Sequence, residues 1–244
     1  MSSFEIARSA TLRIEHGSSR GSGFHFQNLD TVITNYHVIA GANQSVNAIK
    51  GVTEGGDVLN LKLVASSSAD KHDFAVLKVS GPVPAGRTAL KPKILRPVVR
   101  GLEVLFAGFP HGIAHLLVQR AVVAGLVTDE VFYIDGSVNG GNSGGPIIDA
   151  RDGTVIGLVT QRRFLGAEDL EGLGRAAQEV QDHCQRIVGR GSVEIMGINF
   201  GGFSALMAQG MILIQRVLEA NANTGIGIGY AIEFVSAACT ESGK

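Results

Sequence analysis

The segment Asn139-Gly-Gly-Asn-Ser143-Gly-Gly-Pro146 restricts the fold more than any other stretch of this chain. It sets one serine among small, flexible residues, where the backbone turns sharply without a Cβ penalty and leaves room for a second chain to approach. The residues beyond the serine read as strand, turn, strand: Pro146-Ile-Ile-Asp149, then Asp152-Gly-Thr-Val-Ile-Gly157. Short β segments also precede it at Ala10–Ile14, Gly23–Phe26, Thr31–Thr34, Leu59–Val64 and Phe74–Val79, with turn clusters between them. Pro82, Pro84 and Pro92 form a breaker-rich connection to a second set at Glu103–Ala107, Leu116–Val123, Val131–Ile134, Pro146–Ile148 and Thr154–Val159. The 33 glycines, about twice the usual share, suit an all-β chain with many turns.

Two upstream segments complete a chemical set with the serine. Thr34-Asn-Tyr-His37-Val-Ile39 places a histidine after an apolar run. Lys71-His-Asp73-Phe-Ala-Val-Leu77 places an aspartate at the start of a strand. A serine hydroxyl near neutral pH is a weak nucleophile and needs a base, and that base needs an orienting acid. Ser143 is therefore the candidate nucleophile, His37 the general base and acid, and Asp73 the residue that orients the imidazole. Asp70 is a weaker rival for the last role, because Asp73 starts a strand. The oxyanion hole is expected at Gly141 and Asn142, with the peptide N–H groups of Gly141 and Ser143 turned toward the oxygen of an attacked carbonyl.

With these residues in the order His, Asp, Ser, the chain resembles the trypsin-like serine proteases of the HtrA/Deg type. Arg20-Gly-Ser-Gly-Phe24, Thr34-Asn-Tyr-His37-Val, Asp73-Phe-Ala-Val-Leu77 and Gly141-Asn-Ser143-Gly-Gly-Pro146 carry the resemblance, with fainter echoes at Phe106–Gly112 and Gly227–Ile232. It implies an all-β fold of two six-stranded antiparallel barrels, with His37 and Asp73 from the first and Ser143 from the second. The N-terminal barrel is expected over 1–95, and the C-terminal barrel over 96–244 with an insertion near 163–222. By the same correspondence Ser137 forms the base of the pocket for the residue before the scissile bond, and Val159, Thr160 and Tyr230 line it. Ser137 carries no charge, so cleavage after small or medium aliphatic residues is expected rather than after Lys or Arg. Asn142 stands where zymogen-activated relatives have an aspartate, so control by a partner or by loop ordering is expected instead of N-terminal cleavage.

The insertion departs from the resembling pattern. Glu168–Val188 has helical composition, and Ser204–Ala220 carries Leu206, Gly210, Leu213 and Val217 on one stripe beside Met207, Met211, Ile214 and Leu218. So broad an apolar face needs a cover. The other helix, the barrel and another molecule, whether an activating partner or a second copy, all stay open. The rival to a protease is a catalytically latent trypsin-fold binding or scaffold protein that uses this Met-rich insertion as its surface.

Other signals weigh less. Gly141-Asn-Ser143-Gly-Gly145 also fits the nucleophile elbow of α/β-hydrolases, but that elbow leads into a helix and needs a later histidine, for which only His183 is present. His111 and His115 have the spacing of a zinc pair but lack the following glutamate, and Gly225-Ile-Gly-Ile-Gly229 lacks the strand–helix context for phosphate. No cofactor or metal is expected. A net charge of −1 gives no field that favours nucleic acid, and no apolar run is long enough to span a bilayer. Cys184 and Cys239 do not suggest a disulfide framework. The first residues lack a basic start and apolar run, which makes the cytoplasm the expected location.

Overall fold

The computed structural model describes residues 1–40, 48–110, 113–162 and 225–242, and in the insertion 172, 175–176, 178–183, 186, 194–195 and 198–221. Two closed six-stranded antiparallel barrels make up the fold. In the first, β1 (Thr11–His16), β2 (Ser19–Phe26), β3 (Asn28–Thr34), β4 (Ile49–Val52), β5 (Val58–Ser67) and β6 (Phe74–Ser80) close in the order β1-β2-β3-β6-β5-β4. The second contains β7 (Glu103–Gly108), β8 (Leu117–Leu126), β9 (Val131–Asp135), β10 (Pro146–Asp149) and β11 (Val155–Arg162), and it is closed by β14 (Ile226–Ala231). β14 pairs with β11 on one side and β9 on the other, so the chain leaves the sheet at Arg162 and rejoins it after the insertion.

Period-two alternation explains the strands. In β5, Leu59 and Leu61 turn inward while Val58, Asn60 and Lys62 face out. In β14, Gly227 and Gly229 face a barrel interior too crowded for a side chain, since a Cβ there would meet Val138, Ile134, Ile147 and Phe132. Leu12, Ile14, Val32, Ile39 and Leu77 fill the first barrel, and Phe106, Phe132, Ile134, Ile147 and Val159 the second. A third cluster joins them, drawing Phe24, Phe26, Ile33 and Phe74 from one barrel and Leu105, Ile148, Val155 and Leu158 from the other.

Both terminal helices cross that joint. α1 (Ser3–Ala10), capped by Ser2, packs on β7 and β8 and buries Ala7 and Ala10. The C-terminal helix Glu233–Ser242 packs instead on β5 and β6. Each end of the chain therefore covers the barrel farther from it in sequence. Accordingly the barrels and both terminal helices form one compact unit, Met1–Arg163 with Gly225–Lys244, and Phe164–Thr224 forms another. The division falls at the insertion rather than between the barrels.

In the insertion, β12 (Glu194–Ile195) pairs with β13 (Ile198–Asn199), followed by the helix Phe200–Asn221, which begins four residues before the expected Ser204. Asn199 explains the earlier start, because its side chain accepts from the Gly202 N–H at 2.8 Å as a helix cap does. The expected helix Glu168–Val188 lies partly outside the described residues; those described within it, such as 178–183, are helical. His111 and Cys184 also lie outside them. Among the described residues, no helix is long and apolar enough to cross a membrane.

Candidate active site

His37 lies on the short helix α2 (Tyr36–Ala40), and Asp73 immediately precedes β6. Asp73 is buried at 1% exposure and adopts φ +45°, a left-handed conformation that aspartate tolerates better than most residues. Its backbone is held by an N–H donated to Ser68 O at 3.0 Å and a carbonyl that accepts from Asn35 Nδ2 at 2.6 Å. Its carboxylate accepts from the His37 backbone N–H at 3.0 Å and from Thr160 Oγ1 at 2.8 Å, and lies 2.6 Å from His37 Nδ1. With Nδ1–H donating to the acid, Nε2 is left as the acceptor. The imidazole edge is open to solvent, with the His37 side chain 40% exposed.

The nucleophile loop is cradled by the first barrel. Ser22 N–H donates to Ser143 O at 2.8 Å, and Ser22 Oγ donates to Gly141 O at 2.7 Å while accepting from the buried Phe109 N–H at 3.0 Å. Ser22 O in turn accepts from Thr34 Oγ1 at 2.7 Å. Gly144, at φ +83°, sits so close that a Cβ would collide with Ser22 O, Thr34 Oγ1 and Asn35 N. From the other side, Gly144 N–H donates to Val159 O at 2.8 Å, and Val159 N–H donates to Gly145 O at 2.9 Å.

Ser143 Oγ donates to Thr160 O at 3.1 Å, and among the described residues it has no hydrogen bond to His37. Thr160 thus touches both ends of the candidate relay, the acid through its hydroxyl and the serine through its carbonyl. The peptide N–H groups of Gly141 and Ser143 have no acceptor among the described residues, with Gly141 at φ +99°. Asn142 corrects the sequence expectation: its N–H is already donated to Asn139 O at 3.0 Å, so it is not a free oxyanion donor. Its side chain is buried at 1%, among the described residues neither amide atom is hydrogen-bonded, and it lies against Gly108.

The expected pocket residues differ in exposure and in what they touch. Ser137 is exposed at the surface. Val159 is fully buried in the core of the second barrel, so its side chain cannot line a substrate pocket. Thr160 is buried and committed to Asp73. Tyr230 is half-buried against the inter-barrel cluster, and burial, aided by the Asp73 carboxylate, pushes its phenol pKa up. Sequence reasoning missed Ser22 and Asn35 as parts of the site. The only signal was their place inside the Arg20–Phe24 and Thr34–Val38 motifs.

Two barrels that bring a solvent-open histidine paired with a buried aspartate, and a glycine-cradled serine, to their joint have the chymotrypsin-like fold with a candidate serine-hydrolase site. The trypsin-like peptidase domain matches residues 21–158, more than half of the chain, and the chain belongs to that family, in its HtrA-type branch. Over 163 residues it is 32% identical to Protease Do-like 1, chloroplastic, of Arabidopsis thaliana, covering 61% of this chain and 34% of that protein. Over 197 residues it is 28% identical to the serine protease Do-like HtrA of Bacillus subtilis (strain 168), covering 74% and 41%. The crystal structure of the serine endoprotease from Yersinia pestis superposes with a TM-score of 0.55 at 25% identity, covering 67% of this chain and 58% of that one. The chain spans between a third and about two fifths of the length of these curated relatives.

Proposed function

We propose that this chain is a serine endopeptidase that hydrolyses peptide bonds of protein substrates through an acyl-enzyme, with Ser143, His37 and Asp73 as its triad. The observation that carries the reading is the 2.6 Å contact of His37 Nδ1 with a buried Asp73 carboxylate that Thr160 also holds. Such an acid fixes the tautomer with Nε2 unprotonated and stabilises the imidazolium once a proton arrives. For the reaction, the Ser143 hydroxyl turns from Thr160 O to His37 Nε2. Oγ attacks the substrate carbonyl carbon as its proton passes to Nε2. The oxygen that becomes negative meets the unoccupied N–H groups of Gly141 and Ser143. Collapse sends the proton from Nε2 to the leaving amine and leaves an acyl-serine ester. Water then repeats the sequence, with His37 again as base, and frees the acid.

The resting bond of Ser143 to Thr160 supports control by loop ordering or a partner, because the serine must be redirected before it reacts. The insertion helix supports the same reading, as Phe203, Leu206, Met207, Leu213 and Ile214 are each at least half exposed. A second reading draws on these two observations: a latent trypsin-fold protein that uses this helix to bind an activating partner or another copy of itself. Within the endopeptidase reading, the uncharged Ser137 supports cleavage after aliphatic rather than basic residues, with Tyr230 beside the substrate strand.

Labelling with a fluorophosphonate probe tests the proposal. Wild type labels and Ser143→Ala does not. Absence of wild-type labelling, with and without candidate partners, refutes the enzyme. Labelling only after a partner is added favours the regulated form.

A further inference from the structure

We propose that His72 and Phe234 are positioning residues for Asp73, an inference that rests on the triad reading. His72 directly precedes Asp73, and its ring stacks on Phe234, in the first turn of the C-terminal helix, with centroids 3.6 Å apart and planes 21° from parallel. Its Nε2 lies 3.8 Å from Glu130 Oε2, in the turn between β8 and β9 of the second barrel. Glu130 is itself fixed: Arg96 Nη2 donates to it at 3.3 Å, and its carbonyl accepts from Ala231 N–H at 2.8 Å. Arg96 Nη1 also donates to Glu233 at 2.8 Å, so the inter-barrel connection, the β8–β9 turn and the C-terminal helix meet around one imidazole.

The placement matters because Asp73 spans the two barrels. Its carboxylate takes hydrogen bonds from His37 of the first and Thr160 of the second. Its left-handed backbone persists only while its surroundings over-determine it. After Asp73, Phe74 is anchored in the inter-barrel cluster. Before it, the turn 68–73 is closed by contacts within itself: Lys71 and Asp73 N–H to Ser68 O at 3.0 Å, and His72 N–H to Ser67 Oγ at 3.4 Å. The stack on Phe234 ties that turn to the C-terminal helix, and the Glu130 contact ties it to the second barrel. Without the stack, Asp73 keeps its bonds to Thr160, Asn35 and Ser68, but the turn before it loses its anchor on the C-terminal helix. A shift of this kind lowers turnover while leaving substrate binding largely intact.

The test compares Phe234→Leu, which keeps an apolar side chain but removes the ring, with Phe234→Tyr, which keeps the ring, and with His72→Ala. Phe234→Leu and His72→Ala should lower kcat roughly 10- to 100-fold with KM within about twofold, and Phe234→Tyr should retain wild-type kcat. In an Asp73→Asn background the same changes should add nothing, as expected for residues that act through Asp73. Proton NMR gives a readout that needs no turnover. The His37 Nδ1–H resonance, shifted far downfield by its bond to Asp73, should move or broaden in Phe234→Leu and His72→Ala and persist in Phe234→Tyr. An unchanged resonance in Phe234→Leu, or an equal kcat loss with and without Asp73→Asn, overturns the inference. A wild type without turnover refutes the enzyme reading instead, and the resonance then decides this one alone.

Discussion

Acidification should destabilise this protein through His25 before its carboxylates begin to titrate. His25 sits in β2 with no exposed surface, and among the described residues neither ring nitrogen makes a hydrogen bond of good geometry. Burial, with the nearby Arg87 charge adding to it, lowers its pKa from 6.5 to about 4, while the Leu29 backbone and Asp30 oppose this weakly. The folded protein therefore binds this proton only near pH 4, whereas the unfolded chain binds it near 6.5. The stability held by neutral His25 is fully present above 6.5 and is lost as pH falls through 6.5 toward about 4. One pH unit is 1.36 kcal/mol, so the loss is about 1 kcal/mol at pH 5.5 and about 3 kcal/mol when complete. Urea unfolding between pH 7.5 and 5.5, on wild type, His25→Phe and His25→Gln, measures it. The wild type should lose about 1 kcal/mol over that range and both variants almost none. If either folded variant loses as much as wild type, another group carries the acid sensitivity and the reasoning fails.

Two further outcomes depend on single contacts. Ser22→Ala leaves the buried Phe109 N–H and the Gly141 carbonyl without their partner, so Gly141 can rotate its peptide away from the oxyanion position; kcat should fall by roughly 10²–10³. Steady-state kinetics on a peptide substrate checks this, and an unchanged kcat would show that Ser22 does not hold that peptide. Asp149 is fully buried, and the guanidinium of Arg151 and the Lys93 ammonium hold its carboxyl well below the usual carboxylate range. Its contribution is present above the unfolded value of about 4 and is lost as pH falls below that. Asp149→Asn should cost about 2 kcal/mol in urea unfolding at pH 7, with the gap to wild type narrowing below pH 4.

Much of the fold was legible because barrel strands alternate. β6, expected over Phe74–Val79, runs Phe74–Ser80, and β7, expected over Glu103–Ala107, runs Glu103–Gly108. β4 (Ile49–Val52) escaped because four residues with Gly51 among them carry too little alternation to stand out. α1 escaped for another reason. Its stability comes from Ala7 and Ala10 buried in the inter-barrel cluster, a tertiary gain that small residues do not advertise. At the candidate site, the residues proposed to act by chemistry stood out in the sequence, whereas those that hold them by geometry did not. Val159 was read as a pocket wall because its position along the strand matched. The pleat sends its side chain inward, and only its backbone reaches the nucleophile loop.

Three residues without chemistry of their own set the separation of the relay. Ser22 carries the loop of Ser143 on the first barrel, the barrel that also bears His37 and Asp73. Thr160, from the second barrel, holds Asp73 by its hydroxyl and Ser143 by its carbonyl. Each barrel therefore grips the part of the proposed triad that the other contributes. His72 adds a third crossing, from the Asp73 turn to Phe234 and Glu130. A relative slide of the barrels would have to break all three together, although each alone is an ordinary contact. The Ser143 hydroxyl, in contrast, is held among the described residues by a single 3.1 Å bond to Thr160 O, and rotation about one side-chain torsion releases it. For the proposed triad, the frame is thus stiff where fixed distances are needed and soft at the one hydroxyl that would move, so substrate binding would act on Ser143 rather than on the barrels.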